Sequence, residues 1–166
     1  NDMKLGILNN IAIEAIKHNR IDILLYLQHV DAEVEWSFVI EQVYGYSDAQ
    51  HQSTVFSIIL ELYSQGILPD PDYYIYKMLT EELAFGNDRD VSLILEYFNF
   101  DDEEYIDMIG DILLLAVDEN EGDIVTNNIK FLTKRASIER LEDAILASAE
   151  MPVIQDYLRN ALNERE

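Results

Sequence analysis

The chain has 166 residues, 49% of them apolar, which is enough for one domain with a substantial core and argues against disorder. Thirty-three acidic against 11 basic residues give a formal charge of −22, which opposes binding to nucleic acid or anionic lipid and leaves a protein with a basic surface as the natural partner. There is no Cys, so disulfides and thiolate chemistry are excluded and the redox compartment is left undecided. No apolar run reaches a membrane-spanning length, and an intracellular, cytoplasmic protein is expected. The start, Asn1-Asp2-Met3-Lys4, is neither a signal peptide nor an ordinary initiator and reads as that of a mature or trimmed fragment.

Taken in order, the chain alternates apolar helical stripes with polar turns. Leu8, Ile11, Ala12, Ala15 and Ile16 lie three or four apart and predict a first helix A, and after Asn19-Arg20 the residues Ile23, Leu24, Tyr26 and Leu27 predict a short helix B. Trp36, Val39, Ile40 and Val43, then Val55, Phe56, Ile58, Ile59, Leu60 and Leu62, form a second pair with a longer connection over Gly45 to Gln52. Trp36 begins an apolar stripe and is expected in the core. Pro69-Asp70-Pro71-Asp72 cannot continue a helix and reads as a rigid loop between repeats.

A third helix A carries Ile75, Met78, Leu79 and Leu83, and its helix B carries Val91, Leu93, Ile94, Leu95, Tyr97 and Phe98. Asp101-Asp102-Glu103-Glu104 is placed at the start of the fourth helix A, where negative charge meets the positive end of the helix dipole. Ile106, Ile109, Ile112, Leu113 and Ala116 give that helix its buried face, and Asn120 turns the chain into a helix B containing Ile124, Val125, Ile129, Phe131 and Leu132. The fifth pair uses Ile138, Leu141, Ala144 and Ile145, then Val153, Ile154, Tyr157, Leu158 and Leu162, with Pro152 in a first turn and a frayed polar tail from Asn163.

The turns repeat. Ala15 to Leu24, Leu83 to Ser92 and Ala116 to Val125 align without gaps, each with Asn at the fifth position, Asp three residues later and then a β-branched residue. Asn tolerates the left-handed conformation that ends a helix, and Asp accepts from unpaired N–H groups in a first turn, so each block predicts a helix end and a helix start. Helix B starts near Asp22, Thr54, Asp90, Asp123 and Pro152 are 32, 36, 33 and 29 residues apart by subtraction, a period typical of stacked helix pairs.

The fold class expected is all-α, an α-solenoid of about five stacked antiparallel helix pairs at 5–29, 35–65, 72–99, 102–133 and 136–162 in one domain spanning 1–166. The ten-residue blocks resemble the core of an ankyrin repeat: Ala15-Ile16, Asn19-Arg20 and Asp22-Ile23-Leu24-Leu25-Tyr26-Leu27 stand at its motif positions, as do Ala116-Val117, Asn120-Glu121 and Asp123-Ile124-Val125, with Asn87 and Asp90-Val91 fitting more loosely. The family's Thr-Pro-Leu-His opening is replaced by Asn10-Ile11-Ala12-Ile13 and Asp111-Ile112-Leu113-Leu114, and its Gly-rich hairpins are not visible. The resemblance implies a curved helical stack that binds proteins.

No catalytic motif stands out. His18, His29 and His51 are not spaced for a shared metal site, and Asp118 to Asp123 fails as a calcium loop because Ile129 occupies the twelfth position. No phosphate-cradling Gly-rich loop, nucleophile elbow or HExxH helix is present, so no enzyme activity, metal or cofactor is expected. The charge is uneven: from Glu61 to Asp123 there are 18 acids and 2 bases, whereas Lys130 to Glu166 has 7 acids and 6 bases. Two explanations compete: a solvated surface that keeps the chain soluble, and an acidic face holding a basic partner, centred on Asp101, Asp102, Glu103, Glu104, Asp107 and Asp111 with Tyr73, Tyr74 and Tyr76 as aromatic anchors. The spacing of Glu104, Asp107 and Asp111 predicts one helix face, opposite Ile109, Ile112 and Leu113. The reading is a protein-binding module; the alternatives are an acidic mimic of nucleic acid, of viral or phage type, that occupies the groove of a nucleic-acid-binding enzyme, and an enzyme or ligand-binding domain with a concave-side pocket.

Overall fold

The stripes of apolar residues become helices because a three-to-four spacing gathers them on one side, where neighbouring helices can cover them. A computed structural model describes residues 2–45, 49–66 and 74–165. Among these residues the fold is all-α, with no strand: α1 (Asp2–Lys17), α2 (Ile21–His29), α3 (Trp36–Gly45), α4 (Ala49–Ser64), α5 (Tyr74–Phe85), α6 (Asp88–Tyr97), a 3-10 turn (Glu103–Tyr105), α7 (Ile106–Asp118), α8 (Asn127–Arg135), α9 (Ile138–Ala147) and α10 (Pro152–Arg165). The predicted loop residues Tyr46, Ser47, Asp48 and Pro69-Asp70-Pro71-Asp72 lie outside the described residues. The chain divides into two compact units, Asn1–Lys77 and Met78–Glu166.

In the first unit α1 packs on α2, α3 and α4, and α3 packs on α4. Ala12, Ala15, Ile16, Leu24, Leu27, Val39, Ile40, Val43, Ile59 and Leu62 form its core. Trp36 is half-buried. Asn9 is buried on α1 and is satisfied by the residue before α3: its Oδ1 accepts from the Glu35 N–H at 2.9 Å and its Nδ2 donates to Glu35 Oε1 at 3.4 Å. A buried amide costs free energy unless its groups are paired, so this contact fixes where α3 begins against α1.

In the second unit α7 is the most covered helix, with Ile109, Gly110, Ile112, Leu113, Ala116 and Val117 buried. It packs on α8 and α9, while α10 packs on α9 and α8. Polar side chains close several helix ends. Asn128 Nδ2 donates to the carbonyls of Leu83 and Gly86, each at 3.0 Å, closing the end of α5. At Gly86 the space is taken: a Cβ there would lie 2.4 Å from the Glu82 carbonyl oxygen. Asn127 donates to Asp88 at 3.1 Å, joining the first turns of α8 and α6.

The tail does not fray as expected. Helix α10 continues through Arg165, whose guanidinium donates to the carbonyls of Thr133 at 2.6 Å, Lys134 at 2.5 Å and Ala136, capping the C-terminus of α8. A cation against unpaired carbonyls at a helix end is favourable both as hydrogen bonding and against the dipole.

The three matching turns adopt three different structures. Asn19 is left-handed (φ 53°), as its sequence predicts. Asn87 is instead the N-cap of α6, its side chain accepting from the Asp90 N–H at 2.9 Å. Asn120 clasps the loop, accepting from the Ile124 N–H at 3.1 Å and donating to the Ile124 carbonyl at 2.9 Å.

The Asp that recurs in the three turns differs as well. Asp22 pairs with Arg20, Asp90 is buried behind its cap, and Asp123, itself left-handed (φ 54°), accepts from the N–H groups of Val153 (2.9 Å) and Ile154 (3.0 Å) at the start of α10. Helix α8 therefore begins at Asn127, capped by Thr126, and Ile124 and Val125 belong to the preceding loop rather than to the helix. The B helices start at Ile21, Ala49, Asp88, Asn127 and Pro152, so the intervals by subtraction are 28, 39, 39 and 25, less regular than the turn motif suggests.

Candidate functional site

The acidic segment is built from the linker between α6 and α7. Phe98 has extended backbone geometry, and side chains two residues apart in such a segment share a side. Phe98 and Phe100 are accordingly both buried, while Asn99 and Asp101 are exposed. Tyr105 completes the anchor, its ring centroid 5.1 Å from that of Phe100 and 6.4 Å from that of Phe98 in an edge-on arrangement. On the outer side, Asn99 Oδ1 accepts from the Asp101 N–H at 3.3 Å and its Nδ2 donates to Asp102 Oδ1 at 3.1 Å. The aromatic residues hold the linker inward, and the carboxylates face out.

Asp101, Asp102, Glu103, Asp107 and Asp111 are all exposed. Their arrangement differs from the expected helical stripe, since Glu103 and Glu104 lie in the 3-10 turn and α7 begins only at Ile106. Asp107 and Asp111 share α7, on the side away from buried Ile109, Ile112 and Leu113, as their spacing predicts. Tyr73 lies outside the described residues, and Tyr74 and Tyr76 open helix α5; the side chains of Tyr74, Tyr76 and Glu104 also lie outside what is described.

Two of the carboxylates have partners within the second unit. Arg135 Nε lies 3.6 Å from Asp101 Oδ1, and Arg140 Nη2 lies 2.9 Å from Asp111 Oδ1. Arg135 also sits over the Phe131 ring, 4.1 Å from its centroid, a cation–π contact one helical turn back on α8. Both pairs are partly open to water, where such contacts contribute little net stability and can be exchanged for another cation. Beside them an open hollow of about 530 Å³ is lined by Leu95, Glu96, Phe100, Asp101 and Arg135 among others. Asp102, Glu103 and Asp107 make no ion pair among the described residues.

Phe100, Tyr105, Arg135 and Arg140 were not legible as parts of this surface from the acidic residues alone. The alternation in Phe98-Asn99-Phe100-Asp101 is the local signal for the aromatic anchor, whereas Arg135 and Arg140 reach the segment only through the packing of α8 and α9. Among the described residues no group of three or more metal-ligating side chains is gathered. His18, in the turn after α1, instead lies 3.4 Å from Glu14 on that helix. No described helix is long and apolar enough to cross a membrane. No protein-family model, curated protein or solved structure matches the chain.

Proposed function

We propose that the protein is a non-enzymatic, ankyrin-like helical-repeat module that binds a protein partner with a basic surface through the acidic linker and first turns of α7. The observation that carries this reading is the outward row of Asp102, Glu103 and Asp107 on a segment fixed from behind by Phe98, Phe100 and Tyr105. A segment anchored by buried rings presents its carboxylates to a cationic partner at a lower ordering cost than a free loop would. Asp101, already satisfied by Arg135, is where an incoming Lys or Arg would exchange with an internal cation beside an open hollow.

The repeat reading is supported by the order of packing inside each unit. A helices pack in sequence, α1 on α3 and α7 on α9, and the B helix α8 packs on α10. Aligned positions face the next helix pair in both units: Asn9 on α1 meets Glu35, the residue before α3, and Gly110, its counterpart on α7, lies against Arg140 of α9.

The test is affinity capture from the source cell with the parent chain and with a variant carrying Asp102→Lys, Glu103→Lys and Asp107→Lys, followed by salt titration of the captured complex. A partner held by the parent, lost by the variant and released as salt rises supports the proposal. Equal capture by both chains overturns it. Competition by duplex DNA would mark the partner as a nucleic-acid-binding protein and favour mimicry.

A further inference from the structure

Exposed apolar side chains are not spread evenly over the second unit. Among its described residues six large ones are exposed, and four of these, Phe85, Ile124, Leu146 and Val153, lie in or within two residues of the turns that join α5 to α6, α7 to α8 and α9 to α10. They are 49%, 59%, 76% and 56% exposed. Each forgoes the gain of burial, and their concentration at one place marks a contact surface.

The three turns are tied into one edge. Asn128, in the first turn of α8, donates to the Leu83 and Gly86 carbonyls at the end of α5, and Asn127 beside it donates to Asp88. On the other side Asp123 accepts from the N–H groups of Val153 and Ile154. The α7–α8 loop that carries Ile124 is therefore held between the other two turns, and Asn120 closes it through two bonds to the Ile124 backbone. Backbone held at these points presents its side chains at a lower ordering cost than a free loop would.

The charge around these residues selects the partner. In or within two residues of the same turns, the exposed charged side chains are Asp88, Asp118, Glu119, Glu121 and Glu150 against one cation, Arg89. None of the five carboxylates makes an ion pair among the described residues. Such a rim repels anionic lipid, and it repels a second copy presenting the same edge. A segment that interleaves apolar with cationic side chains is attracted by both parts of the surface.

We infer that this edge docks a segment of another protein in which apolar residues alternate with Lys or Arg, the apolar ones covering Phe85, Ile124, Leu146 and Val153 and the cations meeting the carboxylates of the rim. The edge lies at the far end of α7 from the acidic linker, and 13 residues at about 1.5 Å each set the two ends of that helix about 20 Å apart. The contact uses none of the linker residues and stands independently of the partner-binding reading above.

The experiment is a fluorescence-anisotropy titration of the full chain with two labelled synthetic peptides of equal length and charge, one of Leu and Lys and one of Ser and Lys. The Leu–Lys peptide should bind the parent more tightly. An Ile124→Ser, Leu146→Ser, Val153→Ser variant should bind it about tenfold more weakly, with unchanged thermal unfolding because all three side chains are exposed, and should bind the Ser–Lys peptide as the parent does. Parent and variant that bind the Leu–Lys peptide equally, or a loss shared by both peptides, overturns the proposal. A Glu119→Gln, Glu121→Gln variant should weaken the Leu–Lys peptide about threefold more than Glu139→Gln, Glu142→Gln, which removes the same charge from α9. Equal effects overturn the assignment of a cationic partner. Self-association of the parent that the serine variant loses would identify the occupant as a second copy and overturn it too. The Asp102, Glu103 and Asp107 lysine variant should keep the ratio between the two peptides, which separates failure here from failure of the partner-binding reading.

Discussion

The turn after α1 and the turn after α7 share a sequence pattern and use it differently. In the first, Asn19 adopts the left-handed conformation and Asp22 pairs with its neighbour Arg20. In the second, Asn120 clasps its own loop and Asp123 reaches away to cap α10. An Asn and an Asp at fixed spacing mark where a helix stops, but which backbone groups they satisfy depends on what else packs within reach. Asp123 reaches the N-terminus of a different helix, α10, with unpaired N–H groups and a favourable dipole for a carboxylate, whereas Asp22 lies in the first turn of its own helix α2 and turns to Arg20.

The sharpest way to break this comparison is at the matched positions Asn9 and Gly110. Gly110→Ala would place a Cβ 2.4 Å from Arg140 Cγ, so α9 or the arginine must shift, with an expected loss of about 2–3 kcal/mol by denaturant unfolding. Arg140→Ala in the same chain should recover much of that loss, a coupling a double-mutant cycle reads directly. Asn9→Ala, which leaves the Glu35 N–H without its acceptor, should cost about 1–2 kcal/mol and should not be rescued in this way.

The two aspartates give the next effect. Asp123→Ala should destabilise the second unit by about 1–2 kcal/mol, with faster hydrogen exchange at Val153 and Ile154, because α10 loses its cap. Asp22→Asn should have much the smaller effect. The Arg20 guanidinium, chiefly through its hydrogen bonds, holds the Asp22 carboxyl below the usual carboxylate range. Its contribution is therefore present above about pH 4 and is lost as pH falls through the depressed value. The small Tm difference between parent and Asp22→Asn should shrink from about pH 6 to about pH 3.

The smallest contrast is at the asparagines. Asn19→Gly should be close to neutral or slightly stabilising, since glycine takes φ 53° freely. Asn120→Gly should cost about 1 kcal/mol by thermal unfolding, because both bonds to Ile124 are lost. Equal effects at the two positions would mean that the turns are more alike than their hydrogen bonds suggest.

Helix existence was legible throughout because apolar periodicity is a local signal that packing then satisfies. The α8 start was not, since Ile124 and Val125 carry the right polarity for a helix while Asn120 and Asp123 commit their backbone to a loop. The outward direction of Asp107 and Asp111 could be read from spacing on α7. Their neighbours Arg135 and Arg140 could not, because both lie in helices more than twenty residues downstream and approach only after those helices dock. Ile11 was read as core for a similar reason: periodicity identifies an apolar face but not whether anything covers it.

Arg165, on the last turn of α10, donates to three carbonyls about thirty positions earlier. Removing that one side chain would leave α10 nearly whole and strip the closing cation from the end of α8.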